Sequence, residues 1–251
     1  MPPVPAGVWR ADTLAAGGLG CVPSGHVPLN ALLSGGGWPL GALVELLPVA
    51  PAVPFWPLVL PALAARQRAG GTVVLVDPPH VPFAPALAVA GLLPERLLWV
   101  RGQSAAAGLW AAEQALRCAD VAAVLAWLPQ AWPAGLRRLQ LAAAKQGDGL
   151  LFALRPAEAA RTASPAPLRL RLSVDAPGDA LVVDIVKRRG PPLAAPLRLP
   201  AQGPTLRALL AALERGKAPA DARVLPFAPR ADRSDAAGEV IHALDRAAVA
   251  A

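Results

Sequence analysis

The chain has 251 residues, of which 55% are hydrophobic, and a formal net charge of +7. That is enough apolar sequence for a sizeable core, while Pro, Arg or Gly breaks every apolar run well short of the roughly 18 residues that a membrane-spanning helix needs. Cys21 and Cys118 lie far apart and His26, His80 and His242 are scattered, so no metal site is expected and both thiols are expected to be free and buried.

The start, Met1-Pro2-Pro3-Val4-Pro5, lacks the basic-then-apolar order of a secretory leader, so a soluble, cytoplasmic protein with no membrane partner is expected. Val8-Trp9-Arg10 stands out in an irregular arm, with Trp9 either a docking point for a partner or, as is more common, the residue that pins the arm to its own domain. Ser24 is placed to cap a short helix carrying Leu29, Leu32 and Leu33 on one face, which Gly35-Gly36-Gly37 ends. Gly41 to Leu47 reads as a buried strand and Pro48 to Trp56 as the loop that follows it. A helix is expected over 56–69, with Pro61 uncomfortable inside it. Thr72-Val73-Val74-Leu75-Val76 suits a central parallel strand, ending in Asp77-Pro78-Pro79-His80.

Helices are then expected over 84–92, 104–118 and 133–146, alternating with strands at 97–100, 121–127 and 150–154. Residues 156–166 read as a loop. Leu168 to Val174 alternates strictly, and Ala180 to Val186 forms its partner across a turn, giving antiparallel edge strands near 168–186. Beyond Pro200 a helix is expected over 204–215, followed by an Ala-, Pro- and Arg-rich stretch of disorder composition with a weak amphipathic turn at Val240 to Leu244. The fold class is therefore α/β, a mostly parallel sheet flanked by helices. Residues 1–40 form an arm and lead-in, 41–200 the core and 201–251 a tail.

The loop after the first core strand carries the main chemical signal. In α/β proteins that loop is where phosphate is usually held, by Gly-rich backbone, Lys and a hydroxyl. Here it runs Pro51-Ala52-Val53-Pro54-Phe55, with no Gly, Lys, Ser or Thr from Pro48 to Trp56. Basic residues cluster elsewhere. Residues 161–251 carry 14 basic and 9 acidic residues, against 10 and 8 in residues 1–160. Arg137 and Arg138 on a helix and Lys187-Arg188-Arg189 after a strand suit phosphate contact; charge protecting a sheet edge is the simpler alternative.

The order of elements over residues 22–192 resembles the RecA-type ATPase core. Ser24-Gly25, Leu29-Asn30, Gly35 to Gly41 and Glu45 carry that resemblance most specifically, with Val73 to Asp77 and the late Ile185 to Pro191 turn. Pro23-Ser24-Gly25-His26, Gly35-Gly36-Gly37-Trp38-Pro39, Ala126-Trp127-Leu128-Pro129, Leu136 to Ala142 and Val186 to Gly190 are similar to the ImuA family, SulA/RecA-like proteins of bacterial mutagenesis cassettes.

That resemblance implies an accessory role in error-prone translesion synthesis within the SOS response. It implies an ImuB-type Y-family polymerase homologue as partner, an error-prone DnaE-type polymerase reached directly or through ImuB, and weak sequence-neutral DNA contact. RecA and self-association stand as further partners. By the same resemblance, the phosphate-binding Lys and hydroxyl fall near Val53, Pro54 and Phe55, the catalytic acid near Pro79 and the second acid near Trp127. None of these residues supplies the chemistry needed. A degenerate nucleotide site without ATPase activity or cofactor is expected, with Asp77 and His80 as a vestigial rim and Pro48 to Trp56 closing the old pocket. A nucleotide-binding switch without hydrolysis and a SulA-like division inhibitor are the alternatives.

Overall fold

Continuous Val-, Leu- and Ala-rich runs bounded by Gly, Asp and Pro become the strands of one large sheet, and the segments between them with apolar residues three and four apart become its helices. The computed structural model describes residues 20–203 apart from 177 and 194, together with residues 207, 208, 211 and 212. A two-stranded antiparallel ribbon, β1 (Cys21–Val22) and β2 (Trp38–Pro39), brackets the short helix α1 (Val27–Leu32). There follow β3 (Ala42–Pro48), α2 (Trp56–Arg68), β4 (Thr72–Val76), α3 (Ala84–Val89), β5 (Leu97–Val100), α4 (Ala105–Ala115), β6 (Val121–Trp127), α5 (Pro133–Gln146) and β7 (Leu150–Leu154). A 3-10 turn (Ala157–Arg161) leads to β8 (Leu168–Val174), β9 (Ala180–Lys187) and β10 (Leu197–Pro200).

The large sheet has eight strands in the order β10-β9-β8-β3-β7-β6-β4-β5. All neighbours from β8 to β5 are parallel, and β9 and β10 are added antiparallel. The expected hairpin at 168–186 is present, yet its first strand is not an antiparallel edge: β8 runs parallel to β3, and the edge is β10. Four residues ending in Pro200 give too little alternation for β10 to be read from sequence. Within the expected loop 156–166 the chain makes its 3-10 turn. The helix expected over 84–92 ends at Val89, and Gly91 turns with φ +94. Residues 207, 208, 211 and 212 are helical, inside the stretch expected at 204–215. The rest of that helix, the Val240 to Leu244 turn and Val8-Trp9-Arg10 lie outside the described residues.

Alternation along β3 divides the core. Val44 and Leu46 face a cluster with Leu58, Leu63, Trp38 and Phe152, whereas Leu43 faces α4 and α5 through Leu109, Leu136 and Leu139. Helices therefore cover both faces of the parallel strands. Cys118, expected to be buried, is exposed in the turn after α4, and Cys21 is half-buried. Among the described residues no helix is long and apolar enough to cross a membrane.

Residues 20–40 pack onto this sheet: Leu29 and Trp38 are fully buried in the same cluster as β3, and Trp38 meets Phe152 edge-on with ring centroids 5.2 Å apart. Ser24 does not cap α1 directly. Its Oγ accepts from the His26 amide at 3.1 Å and donates to Asn30 Oδ1 at 2.7 Å, pinning the turn ahead of the helix. His26 then reaches α2. Pro61 has no N–H, so the carbonyl of Pro57, four residues earlier, loses its helical donor. His26 Nε2 stands 3.0 Å from that carbonyl and donates the missing bond. Gly25 has φ +85, and a Cβ there would collide with the Pro61 ring, so only glycine allows the turn to sit this close.

This arrangement predicts an energetic coupling. His26→Ala is expected to lower unfolding free energy by about 1–2 kcal/mol, the value of a hydrogen bond whose loss strands a carbonyl. In a Pro61→Ala background, where residue 61 regains its N–H, the same substitution is expected to cost markedly less. Urea unfolding of the four proteins of this cycle measures the coupling; equal costs in both backgrounds would refute it.

Candidate functional site

Parallel strands that end on one edge of a sheet leave a crevice there, the usual place for a ligand in such folds. The ends of β3, β4, β6 and β7 meet in this way. Pro48 to Trp56 forms one wall, Asp77 to Phe83 with α3 the other, and Trp127 to Ala131 with Leu154 to Pro156 the floor. They enclose a cleft of about 1110 Å³. The loop expected to close the old pocket therefore lines an unfilled one.

The lining is apolar and poor in donors. Eight prolines face the cleft, Pro54 among them in the middle of the first loop, and none can offer an N–H. Many other amides on its walls are already used inside the protein. Val49 donates to Leu172 and Val53 to Ala50, Asp77 donates to Val100, and Leu128 and Arg155 donate to Leu154 and Leu46. Of Pro51, Ala52, Val53, Pro54 and Phe55, two have no N–H and Val53 spends its own within the turn, which leaves this loop fewer donors than a glycine-rich one. Beside it Phe55 stacks on Trp56 at 4.9 Å, and Trp127 approaches Phe55 at 5.8 Å and Trp56 at 6.2 Å. Trp132, just before α5, is 44% exposed.

Asp77 and His80 separate. Asp77 is the one non-glycine among the described residues with positive φ, +52. Its carboxylate accepts from the Gly102 amide and packs where side chains on Gly102 or Gly108 would stand. It is a turn-and-cap residue that joins the end of β4 to the loop before α4. His80 is exposed on the cleft wall. Among the described residues no group of three or more His, Cys, Asp or Glu is placed to hold a metal ion.

Charge enters from below. Glu45, on the face of β3 shared with Leu43, is fully buried. Its Oε1 accepts from Arg155 at 3.0 Å and from the Ser164 hydroxyl at 2.8 Å, and its Oε2 from Arg169 Nε. Arg169 spends three more donors on the carbonyls of Ala159, Ala160 and Thr162, at 2.6 to 3.3 Å. Arg155, 7% exposed, donates to the Ala131 carbonyl at 3.0 Å, and its Nε has no partner among the described residues. One carboxylate thus answers two guanidinium groups. Sequence reading singled out Glu45 only as part of a motif and passed over Arg155 and Arg169. The signal was present: a lone carboxylate in a fully apolar strand requires a cation, and Leu-Arg-Leu-Arg places one on a neighbouring strand.

The basic residues do not gather at the cleft. Lys187 pairs in register with Arg169 at the start of β8, so Lys187-Arg188-Arg189 lies at the opposite end of the parallel strands. Lys187 Nζ donates to Ser164 O at 2.9 Å, and Arg188 donates to Pro191 O at 2.8 Å and to Leu32 O at the end of α1. Arg138 is salt-bridged to Glu113 of α4, which also holds Arg117. Arg137 and Arg189 are exposed. Gln140, between these arginines and Gly147, accepts from the Leu43 amide at 2.9 Å and so ties α5 to β3.

No family model matches this chain, and no curated protein matches it.

The buried triad predicts a sharp asymmetry. Glu45→Met leaves two arginines without their anion and is expected to destabilise by about 3–5 kcal/mol. Replacing Glu45, Arg155 and Arg169 together by Met is expected to cost less than Glu45→Met alone. Denaturant midpoints at constant slope test this; a triple variant weaker than the single one overturns it.

Proposed function

We propose that this chain is a non-catalytic accessory protein of a bacterial error-prone translesion DNA-synthesis complex, of the ImuA kind, built on a RecA-like core. The supporting observation is the cleft: it occupies the position of a nucleotide site at the strand ends, but proline, Phe55, Trp56 and Trp127 stand where phosphate-handling groups belong. A transferring phosphoryl group needs cationic and amide donors aimed at it. This loop has no Lys or hydroxyl residue, and Val53 spends its amide on Ala50. An apolar aromatic wall suits association with other molecules instead. The motifs shared with ImuA supply the biological setting, in which the chain docks a Y-family-like polymerase partner. Weak, sequence-neutral DNA contact falls to Arg137 and Arg189, whose side chains are exposed.

The nucleotide-switch alternative is favoured by one feature, the open volume of the cleft. Calorimetric titration with Mg-ATP decides between them: no binding heat at millimolar nucleotide is expected, and magnesium-dependent binding would replace the scaffold reading with the switch.

The described sheet ends before residue 204, so removing residues 204–251 leaves it whole. In this reading the tail is the docking arm. Full-length protein is expected to retain the polymerase-like partner in a pull-down, and the chain ending at residue 203 to lose most of it. Equal recovery would remove the tail from the docking role; failure of both would refute the scaffold itself.

A further inference from the structure

The buried charges under the cleft do not balance. Glu45 contributes one negative charge, Arg155 and Arg169 two positive ones, and all three side chains are at least nine-tenths buried. The surplus is not shared equally. Arg169 uses four of its five donors, on Glu45 and three carbonyls. Arg155 has Glu45 and one carbonyl, so two of its five donors are used: its Nε is sealed from solvent without an acceptor, and Nη1 and Nη2 each keep a spare N–H. Arg155 is also the member of the triad that lines the cleft. A buried cation short of acceptors is costly, and an anion brought to it recovers that cost.

The walls restrict which anion. Polyphosphate requires several convergent cationic and hydroxyl donors, and the lining holds no Lys, Ser or Thr and offers Arg155 as its one buried cation. An extended peptide fares little better, because each residue brings a carbonyl that seeks an N–H. A compact ligand with one anionic group and an apolar body asks for one cation and a hydrophobic wall. Phe55, Trp56 and Trp127 provide that wall with ring faces and edges suited to a flat partner. The other ionisable groups on the lining do not substitute for Arg155. Asp77 is held by Gly102, while His80 and Glu158 are exposed at the rim.

We propose that the cleft binds a small aromatic carboxylate, its anionic group completing the environment of Arg155 and its ring lying against Phe55, Trp56 and Trp127. This function is separate from polymerase docking and stands or falls without it.

The test uses the full chain and two probes of equal shape, 2-naphthoate and the neutral 2-naphthylmethanol, titrated by calorimetry at neutral pH. Naphthoate is expected to bind at least about 10-fold more tightly, the worth of one charge-assisted hydrogen bond. Ala86→Trp, at an exposed position on the cleft wall, is expected to weaken both probes at least about 10-fold by filling the cleft, with no change in melting temperature. Arg155→Met is expected to make the two affinities equal. Should that variant not fold, the probe ratio in the unsubstituted protein and the Ala86→Trp result decide alone. Equal affinities in the unsubstituted protein, no binding of either probe, or naphthoate binding that survives Ala86→Trp would each overturn the proposal.

Discussion

A single carboxylate in the middle of the sheet governs much of what surrounds it. Glu45 sits in β3, with parallel neighbours on both sides and no exposure to solvent. An ionised carboxylate in that position is tolerable only when enclosed by donors, and the donors come from three places: Arg155 just after β7, Ser164 in the following loop and Arg169 in β8. Through those arginines the same carboxylate reaches the carbonyls of Ala131, Ala159, Ala160 and Thr162. The floor of the cleft, the 3-10 turn and the start of the hairpin are thus tied to one atom group. Packed hydrophobic residues would serve stability as well; the ion triad adds direction, because a slip of β8 by one residue would carry Arg169 to the other face.

Proline is used here in two opposite ways. In α2, Pro61 leaves a helix with an unanswered carbonyl, and the lead-in segment supplies His26 to answer it. That makes the segment before the core strand part of the helix's own bonding. Around the cleft, prolines cluster where donors are to be withheld. Both uses follow from the same missing N–H, and among the described residues the prolines spare the sheet's bonding: Pro39, Pro48 and Pro200 are the last residues of their strands, and the others sit in loops, in first helical turns or at one repaired position.

Most of the sheet was legible because its strands are long, apolar and bounded by turn residues. β4, β5, β6, β7 and the Leu168 to Val174 strand fall where the sequence places them. The parallel pairing of β8 with β3 was not legible, since alternation reports one covered face and says nothing about the direction of the neighbour. The cleft was legible in composition and not in shape. Replacing Gly, Lys and Ser by proline and aromatic residues suggests a plug, whereas rigid prolines hold the two loops apart and leave space between them. The Arg155 and Arg169 pair was missed because its members lie far from Glu45 along the chain and share no motif with it. The basic residues were visible at once, but their engagement with Leu32, Ser164 and Glu113 depends on tertiary contacts.

The proline walls also set the mechanical character of the cleft. A loop of ordinary residues around an empty, apolar volume tends to collapse into it, since the chain gains contacts and has many conformations through which to find them. Proline removes most of that freedom in advance: with φ held near about −65° the backbone has few alternatives either before or after folding. Pro48, Pro51 and Pro54 on one side and Pro78, Pro79 and Pro82 on the other are therefore struts. The opening is a property of the folded chain by itself, ready-shaped, and a guest entering it meets walls that need little reordering.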